Sequence, residues 1–406
     1  MTPSHLVSSH THICVAARSD VGMKRAMNQD ALDFQLSDES EWTSMGHRFV
    51  VADGMGAHAA GELASQLAVE EVARHYAESS EPARQALADA LRAANRTIHD
   101  RGQSDRQLYN MGTTCSCLLL LPAGALVAHV GDSRVYRLRQ SNIQQLTFDH
   151  SLVWEMRAAG QVREASHTSN IPRNVITRCL GPHSDVEVDT EGFFSVQKDD
   201  TFLLCSDGLT GRISDAEIGA ITSTLDPDTA VDFLVNLANL RGGSDNITVI
   251  VARVINDCLA STGELRDADS SNKPTNPAWW LAVGTGLIMA LICYQLGHLW
   301  LAASGIAITV VSAIGAFVQW FLAKTAGSSD SRLPSPPYAS SKATVDDEFV
   351  QGICDTLEMV ASQLPDEQFS AELADEIQSI LNAPDESAEW RCQQLANLSA
   401  RTREKQ

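Results

Sequence analysis

The segment FVVADGMGAHAAGELAS, residues 49–65, decides how the rest of the chain is read. HRFVVAD (47–53) is a short run of the length and β-branched content that suits a strand, and residues 60–78 read as a helix. Between them stand Asp53 and Gly54. The pattern Gly54-x-Gly56-x-x-Ala59 between strand and helix superficially meets a dinucleotide-binding fingerprint. Two features oppose that reading. Asp53 would place a carboxylate beside the pyrophosphate, and the acidic strand end expected about 20 residues on is missing, because 81–100 reads as another helix. A metal ligand followed by a glycine that lets a backbone carbonyl reach the same ion accounts for both residues. Ordinary turn chemistry also accounts for a strand-end Asp-Gly, so Asp53 alone does not decide.

Further strand-like runs lie at TTCSCLLLL (113–121), ALVAHVGD (125–132), DTFLLCSD (200–207) and NITVIVARV (246–254), with a third helix over 226–240. The N-terminal module is therefore a mixed α and β fold. Asp132 and Asp207 end strands as Asp53 does, and Asp245 begins one, each followed by Gly, Ser or Asn. Four carboxylates gathered on one rim would repel strongly unless a cation were present, and all-oxygen ligands suit Mg²⁺ or Mn²⁺ rather than zinc. Cys115 and Cys117 share a strand face and read as core. His5, His10 and His12 read as a loose solvated terminus before they read as a transition-metal site. No GxxxxGK[ST] loop is present, so an NTP-driven motor is not indicated.

The chain has 406 residues and a formal net charge of -21, with 44% hydrophobic residues, which suits a folded protein of more than one module. Counted along the sequence, the net charge is -11 over residues 1–256, zero over 257–342 and -10 over 343–406. No basic block interleaved with aromatics appears, and so acidic a chain repels phosphate backbones; nucleic acid is not an expected partner. The 9 cysteines form no CxxC pair and read as reduced thiols. MTPSHLVSSHTHICV lacks the pattern of a signal peptide.

Residues 278–323 contain no Asp, Glu, Lys or Arg. The stretch reads as a transmembrane hairpin, 278–296 and 299–323, with Trp279, Trp280, Trp300 and Trp320 near its ends. A buried hairpin in a soluble core is the alternative. Lys273, Lys324, Arg332 and Lys342 flank the outer ends, which by the positive-inside rule predicts a two-pass membrane protein with both flanking parts cytoplasmic. Linkers rich in Ser, Pro and Gly occupy 257–277 and 324–343. The acidic tail, 344–406, shows apolar stripes at helical spacing: Phe349, Ile353, Leu357 and Val360, then Phe369, Leu373, Ile377 and Ile380, then a segment around Trp390, Leu395 and Leu398. It reads as a small helical bundle that docks on another surface, an unknown protein partner included.

Taken in order, SDVGMKRAMNQDAL (19–32), ADGMGAHAAGELAS (52–65), MGTTCS (111–116), HVGDSRVYRL (129–138), LTFDHSLV (146–153), NVITRCLG (174–181), LLCSDGLTGRIS (203–214) and GGSDNITVIVA (242–252) resemble the metal-dependent serine/threonine phosphatases of the type 2C family, in the form typical of bacteria. The resemblance covers residues 15–254. It implies an α+β fold: a four-layer α/β/β/α sandwich of two antiparallel sheets flanked by helices, here followed by the hairpin and tail. It implies two Mn²⁺ or Mg²⁺ ions bridged by Asp53, with Asp207 and Asp245 completing the first and the Gly54 carbonyl contributing to the second. A water held between the ions is the nucleophile. Arg25, in the Gly-x-x-Arg-x-x-Asn position, would hold two phosphate oxygens, Asp30 would orient water, and Asp132 matches a position that helps hold a third, weaker metal.

Departures are few. Gln29 stands where many members have Glu, and Ala57 replaces a common Gly. Met55 follows Gly54 where the animal branch has its general-acid His; His58 is the nearest candidate for protonating the leaving alkoxide, a helix-capping role being the other reading. His150 is expected to order a turn, Arg134 and Tyr136 to pack or pair, Asn246 to support Asp245, and Asn174 and Arg178 are candidates for the site wall. Residues 154–173 correspond to the family's variable flap. The resemblance implies a protein phosphatase that hydrolyses phosphoserine and phosphothreonine and opposes a Ser/Thr kinase, and the stretch 278–323 adds the expectation of a membrane tether. A catalytically silent, phosphoprotein-sensing scaffold of the same fold is the alternative, and Arg25, Asp53, Asp207 and Asp245, all present, favour turnover.

Overall fold

A computed structural model of the chain describes residues 5–9, 12–38, 41–56, 59–158, 175–256, 340–384 and 386–406. In chain order they form β1 (His5–Ser9), β2 (Ile13–Asp20), β3 (Asp30–Gln35), α1 (Trp42–Met45), β4 (His47–Met55), α2 (Ala60–Glu78), α3 (Ala83–Ser104), β5 (Gly112–Thr113), β6 (Cys115–Leu121), β7 (Gly124–Val130), β8 (Arg134–Arg139), β9 (Asn142–Gln145), α4 (Leu152–Ala158), β10 (Asp189–Phe194), β11 (Thr201–Cys205), α5 (Asp207–Thr210), α6 (Asp215–Thr224), α7 (Pro227–Leu240), β12 (Ile247–Val254), β13 (Ser340–Lys342), α8 (Asp347–Ala361), α9 (Glu367–Leu381) and α10 (Ala388–Lys405). One sheet runs β1-β2-β12-β11-β8-β9-β13; the other runs β10-β7-β6-β4-β3, with β5 pairing β4. The pairings are antiparallel throughout.

Strand alternation assigns every apolar side chain to one of two faces, and both faces of the central strands are buried. In β4, Phe49 and Val51 face the other sheet, where they meet Leu204 and Ile250. Val50 and Ala52 face outward onto α2 and α3, in a core that also takes Cys115 and Cys117. On the opposite side, Leu203, Cys205, Val249 and Val251 pack under α6 and α7. This is the expected helix–sheet–sheet–helix sandwich. The 7 described cysteines, 14, 115, 117, 179, 205, 354 and 392, are free thiols.

The acidic tail adds a fifth layer. Phe349, Ile353 and Leu357 of α8, Leu373 and Ile377 of α9, and Leu395 and Leu398 of α10 are buried in the same cluster as Leu234 and Leu237 of α7. The surface on which the tail docks is therefore the chain's own helix layer, and the apolar stripes are already covered. The three helices begin at Asp346, Asp366 and Ser387, each accepting a hydrogen bond from the backbone N–H three residues on. Before α8, β13 pairs with β9 and Ala343 N donates to Ser141 O at 2.8 Å. Gly219 of α6 makes room for this return: a Cβ there would lie 2.4 Å from Ala343 Cβ. Arg241, which caps α7, donates to Thr356 Oγ1 of α8 at 3.4 Å and to Glu217 Oε1 at 2.7 Å.

Two expectations are corrected. The two-pass membrane topology is not sustained: among the described residues no helix is long and apolar enough to cross a membrane. Residues 278–323, on whose sequence that topology rested, lie outside the described residues. The long helices that are described are amphipathic, as α3 is, with Arg92 and Asp89 paired on one face and Leu87, Leu91 and Ala94 buried on the other. The N-terminus is also not loose throughout, since residues 5–9 pair as an edge strand with β2; His12 is buried, its ring 6.3 Å from that of Trp42, and His10 lies outside the described residues.

Because the tail shares one core with α7, Ile353→Ala should cost about 2–4 kcal/mol of global stability, the usual range for a buried large-to-small change. Denaturant unfolding followed by two probes checks it. A separate early transition for the tail, with the remainder unchanged, would contradict a shared core.

Candidate functional site

The inward face of the sandwich turns polar at one end. Asp53 continues the face of Phe49 and Val51, and Asp30 lies directly opposite it across the β3–β4 pair. From the other sheet, Ser19, Thr248 and Ser206 continue the faces of Ala17, Ile250 and Leu204. Ser206 Oγ donates to Asp30 Oδ2 at 2.7 Å, Thr248 N donates to Ser206 Oγ at 3.0 Å, and Ser19 and Thr248 share a hydroxyl bond of 2.7 Å. Asp207, the first residue of α5, follows Ser206, and Asp132 follows β7 through Gly131.

The backbone of Asp53 is held on both sides. Asp53 N donates to Thr114 Oγ1, and Asp53 O accepts from Thr114 N and from Thr113 Oγ1, all at 2.9 Å. Gly54 is not in a turn, since β4 runs through Met55. Its missing Cβ matters for proximity: a Cβ would lie 2.1 Å from Gly61 O and 2.5 Å from Gln29 O. The start of α2 and the residue before β3 thus close on Gly54, and Ser65 Oγ donates to Gln29 O at 2.6 Å.

The loop between β2 and β3 carries Arg25. Asn246 clamps this loop, its Nδ2 donating to Val21 O and Met27 O and its Oδ1 accepting from Gln29 N, each at 2.9 Å. Met23 N donates to Gly243 O at 2.7 Å, tying the loop to the segment that carries Asp245. Arg25, 48% exposed, donates to Asp245 Oδ2 at 2.7 Å. Asn246 therefore does more than support Asp245: it fixes the position of Arg25 and Gln29.

These carboxylates repel. Burial holds Asp53 well above the usual carboxylate range, reinforced by Asp30, Asp207, Asp132 and Asp245. Asp30, 6% exposed, is pushed up to about 7, mainly by burial and against the Thr248 and Ser206 hydrogen bonds. Burial and then Asp207 push Asp132 to about 7; burial and Asp245 raise Asp207, which shares a hydrogen bond with Asp53. Asp30 Oδ1 and Asp132 Oδ1 are buried with no partner among the described residues.

Among the described residues no three such side chains close on a single point; the site is a rim of charges rather than a finished cage. All the same, its donor set fits hard divalent cations. The donors are oxygen only, two buried carboxylate oxygens lack partners, and crowded like charges resist ionising together. Asp53, Asp207, Asp245, Asp132 and the Gly54 carbonyl are the residues that could hold such ions.

Other expected site residues divide cleanly. Arg134 pairs with Asp149 at 2.6 Å and Tyr136 OH donates to Asp215 Oδ1 at 2.9 Å, so both are structural. His150 Nδ1 accepts from Gly131 N and its Nε2 meets Asp189 Oδ2 at 2.9 Å, which orders the turn before Asp132. Arg178 binds Asp189 at 2.6 Å behind that turn rather than in the cleft. His58, Ala57, Asn174 and flap residues 159–173 lie outside the described residues. The hydroxyls of Ser206 and Thr248 lie within the quoted motifs, but their contact with the site follows only from strand parity, while Thr114 sits between β5 and β6.

The sequence profile of protein phosphatase 2C matches residues 23–240, ending before the tail. A putative protein phosphatase 2C-type from Streptococcus pyogenes is 36% identical over 240 residues, 58% of this chain and 95% of that protein. A serine/threonine phosphatase stp from Listeria innocua is 37% identical over 210 residues, 50% of this chain and 82% of its own. The serine/threonine phosphatase PstP/Ppp of Mycobacterium tuberculosis superposes with a TM-score of 0.54 at 33% identity, covering 60% of this chain and all of that one. The catalytic domain of PstP in complex with 2 manganese ions gives 0.51 at 32%, covering 60% and 99%.

Raised carboxyl pKa values have a testable sign. Below the ordinary value of 3.8 both folded and unfolded chains are protonated at Asp30; between there and about 7 the fold retains the proton. Without divalent ions, stability should therefore fall as pH rises across that interval. Thermal unfolding in EDTA checks it, with Asp30→Asn showing a shallower slope. A Tm in EDTA that climbs from pH 5 to 7 would contradict a proton retained on buried Asp30.

Proposed function

The chain belongs to the protein phosphatase 2C family, and on that premise we propose that its carboxylate rim and Arg25 form the centre that hydrolyses phosphoserine and phosphothreonine in proteins. Members of the family are metal-dependent protein serine/threonine phosphatases that use two Mn²⁺ or Mg²⁺ ions, and this chain is one. Its substrates are products of Ser/Thr kinases, whose action it reverses. The observation that carries the assignment is the mutually repelling set of buried Asp30 and Asp132 with half-buried Asp53 and Asp207.

Asp53, Asp207, Asp245 and the Gly54 carbonyl would hold the two ions, and Asp132 would help hold a third. When bound, such ions supply positive charge that offsets the phosphate's and lowers the pKa of water. Asp30 keeps Oδ2 fixed by Ser206 and Oδ1 without a partner, so Oδ1 is the atom that would orient the attacking water and take its proton. Arg25 would exchange the Asp245 carboxylate for two oxygens of the substrate phosphate, a bidentate fit for guanidinium. Asn246 keeps Arg25 at that distance, because its three bonds to the loop leave the backbone little freedom. Gln29 lacks the charge of Glu and would contribute only hydrogen bonding.

Hydrolysis of a phosphothreonine peptide with Mn²⁺ and with EDTA tests the reading. Asp53→Ala and Asp207→Ala should abolish turnover while leaving the protein folded, and Arg25→Ala should lower kcat/KM about 100-fold. Peptide binding without metal-dependent turnover would instead favour the phosphoprotein-sensing scaffold.

A further inference from the structure

The cleft beside the rim has a volume of about 480 Å³, and Asp132, Asp207, Asp245, Trp154, Arg157 and Arg212 are among the residues that line it. Its charges can be accounted for one by one. Asp149, also in the cleft, is taken by Arg134 and by Gln145. Asp132, Asp207 and Asp245 are the residues assigned above to the ions. Arg157 of α4 and Arg212 just after α5 are left: both are exposed, and neither side chain makes an ion pair or hydrogen bond among the described residues.

An exposed arginine is ordinarily solvated and idle. These two differ by their place. They line the cleft in which the phosphorylated residue must sit, on a chain whose net charge is -21. Once divalent ions neutralise the carboxylate wall, the unpaired guanidinium groups make the outer cleft locally positive, and a concave wall focuses that field. Trp154 lines the same cleft, with its ring edge-on to Phe148 at 5.3 Å and under the Arg134 guanidinium at 5.9 Å. It gives the cleft a fixed apolar floor for a peptide backbone.

We propose that Arg157 and Arg212 form a subsite for an anionic group on the substrate chain, a carboxylate or a second phosphate close to the residue being dephosphorylated. Guanidinium pairs with either group in a planar fork. The subsite rests on the phosphatase reading and sets which phosphoproteins are preferred, whereas Arg25 serves the reacting phosphate itself.

The test uses the full chain with Mn²⁺ and three peptides sharing one phosphothreonine: neutral flanks, glutamate flanks, and a second phosphoserine. Wild-type protein should favour the two anionic peptides through KM, and added salt should erode the preference. Arg157→Gln with Arg212→Gln should reduce that preference about tenfold. Comparison of the glutamate and phosphoserine peptides tells which anion is read. An equal loss on all three peptides, or no preference in the wild type, would overturn the subsite. Should the wild type hydrolyse none of them, the phosphatase reading fails instead, and fluorescence anisotropy of the same peptides with the same double variant decides the subsite by binding.

Discussion

Burial of the carboxyl groups of Asp30, Asp53, Asp132 and Asp207, reinforced by their mutual repulsion, is the constraint on which the rest of the structure turns. Four carboxyl groups at the open end of a sandwich cannot all be ionised in a half-buried space without compensation. The fold offers two forms of it: retained protons when cations are scarce, and divalent ions when they are not. Like charges directly opposite on paired strands, as Asp30 and Asp53 are, weaken the pair they belong to. A stable arrangement of this kind is therefore tied to a ligand.

The scaffold resists that repulsion by fixing backbone rather than by pairing charge. Thr113 and Thr114 hold Asp53 from both sides, Ser206 holds Asp30, and Asn246 anchors the loop of Arg25. Among the described residues Asp245 is the one rim carboxylate in an ion pair, with Arg25, in an exposed contact that a substrate phosphate can replace at small cost. The tail contributes from behind: α8 meets Arg241, which also donates to Arg212 O at 3.2 Å and stands four residues before Asp245. A layer outside the family profile thus braces the loops that present Asp207 and Asp245.

Much of this was legible in the sequence, and the gaps have physical causes. The helix over 60–78 and the strands carrying Asp53, Asp132 and Asp207 follow from apolar spacing, because both sheets are buried on both faces and leave clear runs. The tail stripes, Phe349 to Val360 and Phe369 to Ile380, announced helices correctly, but a stripe says that a face is buried and not against what. Docking onto α7 is visible only in three dimensions, though the near-continuous apolar character of AVDFLVNLANL and the small Gly219 are its traces. β1 escaped notice because a five-residue edge strand with polar ends has no core alternation to show. Ser206 and Thr248 sit inside quoted motifs, but only strand parity places them on the face that bears Asp30. Hydropathy alone could suggest a membrane crossing for 278–323, and no described helix sustains one.

The central claim is that cation binding and carboxyl deprotonation are one event. Isothermal titration of Mn²⁺ into the metal-free full chain, repeated in buffers of different ionisation enthalpy, measures protons released per ion. Net release near pH 6, shrinking toward pH 8 and reduced in Asp30→Asn, is the predicted result. Binding heats that do not depend on buffer at either pH, or no binding at all, would contradict the account.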